Sequence, residues 1–279
     1  MDREAIRTAI AGKLDDKYKP VELTTWPVDL ARGTRINLSG LSKNLSGMTV
    51  EGLKRRVARR FSVIGPRFDF AVRVNGAEIG PDDRGYHNAI EFIWTYGDQA
   101  DFVNKCLHLA REQERRLPAA STALKTAGIT LTGWIGTVSN PSQLKDEDGD
   151  NLNRLAVFMR GKLAQEDVLD EFAQKEIYAD YIIGELHCEE LDSDDQGDIA
   201  TSGRQALKQD DPRFEALRKI VLSELRHIAN RWSDLRRTEG AKAAAAVPAV
   251  SAWLENLQGD TKKKAERWIG RLRADPQSC

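Results

Sequence analysis

Cysteine is scarce. Cys106, Cys188 and Cys279 are the only three in 279 residues, and no two of them form a C-x-x-C pair. That excludes a disulfide framework and a zinc ribbon and suits a reducing compartment. Neither sign of charge is in excess: Lys+Arg number 42 against Asp+Glu 43, a formal charge of -1. The chain therefore has no global positive field to draw in a phosphate backbone. No apolar run is long enough to cross a bilayer. The N-terminal MDREAIRTAIAGKL reads as a charged amphipathic helix and not a leader, so a cytoplasmic protein without membrane contact is expected. Also missing are the G-x-S-x-G of a nucleophile elbow and the lysine motif of a phosphate-binding loop. The histidines His87, His108, His187 and His227 show no ligand spacing. His187 and its neighbour Cys188 point to opposite faces of one strand, and no metal site is expected.

What is present describes a globular chain, 41% hydrophobic and 30% charged, with room for one large or two ordinary domains. Ile6, Ile10 and Leu14 predict a helix over 3–15, and Val21–Trp26 alternates as a strand. A glycine leads into a second strand over Gly33–Leu38. Val50, Leu53, Val57 and Phe61 form one stripe of a helix over 49–61. Phe68, Phe70, Val72 and Val74 alternate as a strand ending at Asn75-Gly76, a tight-turn signal. Helix is expected over 99–115, then strands over 129–138 and 152–159, a short helix over 165–172 and a strand over 178–186. This mixture indicates an α/β or α+β layered fold.

The best-defined element opens with Asp211 as N-cap and Pro212 at the first helical position. Phe214, Leu217, Val221, Leu225, Ile228, Trp232 and Leu235 follow at spacings of three and four. The seam predicts packing on the preceding sheet, with a dimerising coiled coil as the rival reading. The Ala241–Pro248 stretch is expected to break the pattern before a helical hairpin over 249–257 and 261–272.

Two acidic stretches invite a calcium reading. Asp192-x-Asp194-x-Gln196-Gly197 starts like such a loop, but its twelfth position is Gly203, where a bidentate Glu is required. Lys145–Asn151 lacks the glycine at its sixth position. Both read as solvated loops. The basic runs Lys54–Arg60 and Lys262–Lys264 alternate with apolar helix positions and read as solvated helix faces. A nucleic-acid role would need the Lys54–Arg60 and Lys262–Arg271 faces to share one surface.

Gly33-Thr34-Arg35-Ile36-Asn37-Leu38, with the helix, strand and Asn75-Gly76 turn after it, resembles the exit from the ATP-binding domain of GHKL ATPases, the gyrase, heat-shock chaperone, histidine kinase and MutL group. Leu191–Leu207, with its acidic run and Ser202-Gly203-Arg204-Gln205, is similar to the middle-domain loop of the ninety-kilodalton heat-shock chaperones. It departs from them in the inserted Gly203 and in Gln205 where they carry Glu. The character of the chain looks closer to prokaryotic MORC-like or chaperone-like ATPases.

The resemblance implies a transducer domain of ribosomal-protein-S5-like type, a mixed sheet carrying helices, followed by a small helical region. It divides the chain into a remnant of the ATP-binding domain (1–45), the transducer or middle domain (46–238) and a C-terminal helical hairpin (239–279). Arg204 would contact the ATP γ-phosphate, with Lys145 as a weaker candidate, and Gly33, Thr34 and Ser202 would lie at the nucleotide. ATP and magnesium would be held only with an ATP-binding domain from the same full-length protein or a separate chain, so no turnover is expected from this chain alone. The other open reading is a non-catalytic interaction or dimerisation module, with nucleic acid or a second copy as partner.

Overall fold

A computed structural model of the chain describes residues 49–65, 68–107, 109, 113–116, 128–145, 149–171, 177–192, 199 and 207–274. Contacts divide the chain into Met1–Gly47 and Met48–Cys279, and the description is of the second unit. The helix expected over 3–15, the strand over 21–26, the Gly33–Leu38 strand and the Ser202–Arg204 turn all lie outside the described residues.

Helix α1 (Val50–Arg60) starts where the side chain of Thr49 accepts a hydrogen bond from the Gly52 amide. Its expected apolar stripe is not buried, because Val50, Leu53 and Phe61 are exposed, while Ala58 and Arg59 face inward. Strands β1 (Arg73–Val74) and β2 (Ala77–Glu78) form a two-stranded hairpin. Its turn residues Asn75 and Gly76 both have positive φ, as a hairpin with right-handed twist demands. The longer strand expected from Phe68 is not formed. Asp69 adopts φ 50°, and Phe68 and Phe70 remain exposed.

Strands β3 (Ile90–Tyr96), β4 (Gln113–Arg116), β5 (Thr132–Val138), β6 (Leu155–Met159), β7 (Lys162–Gln165) and β8 (Ile182–His187) make an open mixed sheet in the order β4-β3-β5-β8-β6-β7. The β3/β4 and β6/β8 pairs are parallel and the others antiparallel. Among the described residues of 99–115, Ala100–Lys105 form helix α2, and β4 takes up Gln113 onwards. Residues 162–165 likewise pair as β7 after the Arg160-Gly161 turn, where a helix was expected to begin at 165.

Helix α3 (Pro212–Ala245) runs for 34 residues. The Asp211 carboxylate caps it, accepting from the Arg213 amide at 2.9 Å and from the Arg213 guanidinium at 2.8 and 2.9 Å. Arg213 Nη1 also donates to the Leu191 carbonyl at 2.9 Å, which fastens the start of α3 to the chain leaving β8. Every residue of the Phe214–Leu235 seam is buried in one core with the sheet. The seam is thus consumed within the chain and is not a dimer surface. The helix runs into the alanine-rich stretch and ends within it at Ala245, so the break expected over Ala241–Pro248 is present. Helices α4 (Pro248–Glu255) and α5 (Gly259–Ala274) complete the described chain, and α5 packs on α3. They approach closely because residue 270 is glycine: a Cβ there would lie 2.8 Å from the Arg237 carbonyl oxygen. The coarse expectation of an open α/β sheet bearing helices and followed by a helical region is what the structure shows.

Two stability predictions follow from α3. Leu225→Ala should destabilise the chain by about 2–5 kcal/mol in urea unfolding, the range for emptying a well-packed core site. Asp211→Ala should cost about 0.5–2 kcal/mol through the lost cap. The hydrogen bond from Arg213 depresses the Asp211 carboxyl below its ordinary 3.8. Its contribution is therefore complete above that value and is lost as pH falls through the folded value. Parent and variant stabilities should converge in strong acid, and a gap that persists there would refute the assignment.

Candidate functional site

The sheet has two unlike faces. Tyr96 donates to Glu224 Oε2 of α3 at 3.1 Å, so its side of β3 faces that helix. Thr95 points the other way and is paired with Trp134, which is paired in turn with Glu185; Thr132 pairs with His187. These side chains share the face away from α3, and Thr132, Trp134, Glu185 and His187 form the floor of a cleft of about 750 Å³. Gly133 lies between the two floor residues of β5 at φ +120°, and a Cβ on it would stand 2.1 Å from the Glu185 carbonyl oxygen. Only glycine lets β5 and β8 close there.

The walls come from the 3-10 turns Pro81–Arg84 and Tyr86–Asn88, from α2 and from the turn after α1. Phe102 of α2 stacks on Trp134 with ring centroids 4.4 Å apart, and Tyr86 meets the same indole at 5.9 Å. Lys105 Nζ donates to both Asp82 carboxylate oxygens at 2.7 and 2.9 Å, joining α2 to the first turn. Arg84 reaches the floor: its Nη1 donates to Glu185 Oε2 at 2.7 Å and its Nε to the Ala58 carbonyl at 3.0 Å. Arg59 Nε donates to the Arg84 carbonyl at 3.1 Å, with its guanidinium over the Tyr86 ring. Through Arg84 and Arg59, α1 is bonded to the cleft floor.

Glu185 is 2% exposed, and its second oxygen, Oε1, is buried without a hydrogen-bond partner; so is Ser62 Oγ, which also lines the cleft. Burial raises the Glu185 carboxyl above its ordinary range, more than the charges of Arg84 and Arg59 lower it. The same desolvation, with Glu185 nearby, raises the Tyr86 phenol. Asp98, Asp101, Glu189 and Glu190 stand exposed around the opening. Neither described cysteine offers a nucleophile, since burial pushes the Cys106 thiol up to about 11 and that of Cys188 higher still.

Of the residues singled out from the sequence, Lys145 is exposed at the end of the Pro141–Leu144 turn and is not part of the cleft. Gly33, Thr34, Ser202 and Arg204 lie outside the described residues. The Lys54–Arg60 run is not a free basic face. Lys54 pairs with Asp83, Arg56 with Asp150 and Arg60 with Glu166, while Arg59 is buried. The C-terminal run behaves differently. Lys263, Lys264 and Arg267 are exposed on α5 beside Trp268, which is 68% exposed, and no described ion pair engages them. Among the described residues, no group of three or more His, Cys, Asp and Glu could hold a metal ion, and no helix is long and apolar enough to cross a membrane.

No family model and no solved structure matches the chain. Over 221 residues, 79% of its length, it is 32% identical to the "Putative type II restriction enzyme HgiDII" of Herpetosiphon aurantiacus. The chain is similar to a restriction enzyme. That overturns the GHKL ATPase resemblance and with it the ATP-sensing transducer, since the similarity extends over most of the chain whereas the ATPase reading rested on two short motifs. The phosphate-contact roles given to Arg204, Ser202, Gly33, Thr34 and Lys145 came from that resemblance and lose their basis. The chain spans about a third (35%) of the length of the curated relative it matches.

The cleft residues escaped the sequence reading. One signal was available: Glu185 is a lone acid inside the apolar strand Ile182–His187, and a buried charge in such a run requires a partner. Arg84, about a hundred residues away, carries no local mark. Arg84→Met should therefore destabilise by about 3–5 kcal/mol, the range for breaking a buried pair on one side. Glu185 has a folded pKa above its unfolded value, so its contribution is complete below the unfolded value and is lost as pH rises through the folded one. Removing Arg84 raises the folded value further, and the variant's deficit should grow from acid to neutral pH. Urea unfolding across that range would test this, and a pH-independent deficit would count against it.

Proposed function

We propose that this chain is the DNA-engaging segment of a restriction-type protein. The similarity to the Herpetosiphon restriction enzyme carries this reading. It is supported by the exposed face of α5, where Lys263, Lys264 and Arg267 surround Trp268. Lysines and arginines on one helix face neutralise successive phosphates and release counterions. A tryptophan among them adds a flat surface for sugar or an unstacked base. The formal charge of -1 does not oppose this, because Lys54, Arg56 and Arg60 are paired off, whereas no ion pair among the described residues engages Lys263, Lys264 or Arg267. The described residues offer contact chemistry, and the functions of the rest of the larger relative do not transfer with it. The finer S5-like description of the sheet depended on the ATPase resemblance and is not retained.

Fluorescence anisotropy with a labelled DNA duplex tests the reading. The parent should bind with an affinity that falls steeply with salt. Charge reversal at Lys263, Lys264 and Arg267 should weaken binding similarly across sequences and flatten the log–log salt slope by about 0.9 for each phosphate contact removed. Trp268→Ala should cost about 1–3 kcal/mol on single-stranded DNA if the indole stacks on a base. Unchanged binding by the triple charge variant would reject the α5 surface.

A further inference from the structure

We propose that the cleft on the open face of the sheet binds an organic cation, an ammonium or guanidinium head on an aliphatic stem. The inference is independent of the DNA reading and concerns a different surface. Two observations converge on it. The first is the charge of the lining. The Arg84–Glu185 and Lys105–Asp82 pairs are each neutral, which leaves Asp98, Asp101, Glu189 and Glu190 at the opening with no described salt bridge to a cation. Asp98 accepts from the Ala100 amide at 3.1 Å and Glu190 from the Thr130 amide at 3.2 Å, which holds both carboxylates in place at the opening. Such an opening concentrates cations and repels phosphates.

The second observation lies at the bottom of the cleft. Glu185 Oε1 and Ser62 Oγ are both buried and both without a hydrogen-bond partner. A buried acceptor left without a donor is destabilising, and such an atom is a standing receptor for an N–H donor. A cationic head donating to Glu185 Oε1 and Ser62 Oγ would satisfy both. Arg84 is bonded to Oε2 alone and leaves Oε1 open to such a donor. The apolar stem would lie along Phe102 and Tyr86, and at about 750 Å³ the cleft holds more than a head group. The same chemistry reaches the site from two sources: a free polyamine, or an arginine or lysine side chain of a peptide.

Isothermal titration of the whole chain with spermidine, agmatine and a short arginine- and lysine-containing peptide, at physiological salt, decides the matter. At least one should bind at a single site, and inorganic phosphate and a nucleoside monophosphate should not. Saturation by spermidine or agmatine identifies a free cation as the source, and saturation by the peptide alone identifies a side chain. Glu185→Gln should weaken binding at least about tenfold, the loss of one charge-assisted hydrogen bond, and Ser62→Ala should weaken it less. If Glu185→Gln does not fold, the exposed pair Asp101→Asn and Glu189→Gln should weaken binding and reduce its salt dependence. No binding by any of the three cations, multi-site binding unaffected by these substitutions, or preferential binding of phosphate would each overturn the proposal.

Discussion

Burial of the Phe214–Leu235 seam against the sheet is the constraint on which the rest of the structure depends. Strands β3, β5, β6 and β8 are buried along almost their whole length, so neither face of the sheet stands in water there. On one side a single long helix covers them. Its placement is fixed at both ends of the contact, by the Asp211–Arg213 cap tied to Leu191 and by the Tyr181–Trp232 ring contact, with the buried Tyr96–Glu224 hydrogen bond between. On the other side the cover is assembled from short pieces: two 3-10 turns, one six-residue helix and the turn after α1. Short pieces tile a sheet incompletely, and the cleft is the gap they leave.

Charge is sorted within this frame in a way that composition conceals. The most basic run in the sequence, Lys54–Arg60, fastens α1 to neighbouring carboxylates and to the cleft wall. The acids of the cleft opening and the cations of α5 are left facing solvent on separate elements. A formal charge of -1 says nothing of this placement.

The elements legible in the sequence were those whose signals are local. Asp211-Pro212 and the seam behind it defined α3, and Asn75-Gly76 defined the hairpin turn. Strand β3 went unread because a strand buried on both faces has no alternation to detect; Ile90–Tyr96 is a plain apolar run. The Phe68–Val74 alternation misled in the opposite way, since two of its aromatics are exposed in a turn and face no core. Of the helix expected over 165–172, Leu169–Glu171 form a 3-10 turn, while Gln165 closes β7, a strand brought back by the tight Arg160-Gly161 turn, with Arg160 at φ 45°, and too short to show a period. The site was the least legible part. Arg84 and Glu185 meet only through the tertiary fold, and short-motif likeness drew the functional reading towards Lys145, which is not part of the cleft, and towards stretches outside the described residues.

The length of α3 has a mechanical consequence. At about 1.5 Å per residue its 34 residues form a rod of about 51 Å. Its first two-thirds are clamped to the sheet, and α5 is mounted beyond them, where Gly270 rests against Arg237. A rod clamped at one end and loaded at the other is a lever arm. Only about 15 Å of the rod extends past the seam, so a bend of about five degrees there would move its tip by about 1.3 Å. The clamp therefore carries through to α5, and that helix is held in a nearly fixed position relative to the sheet.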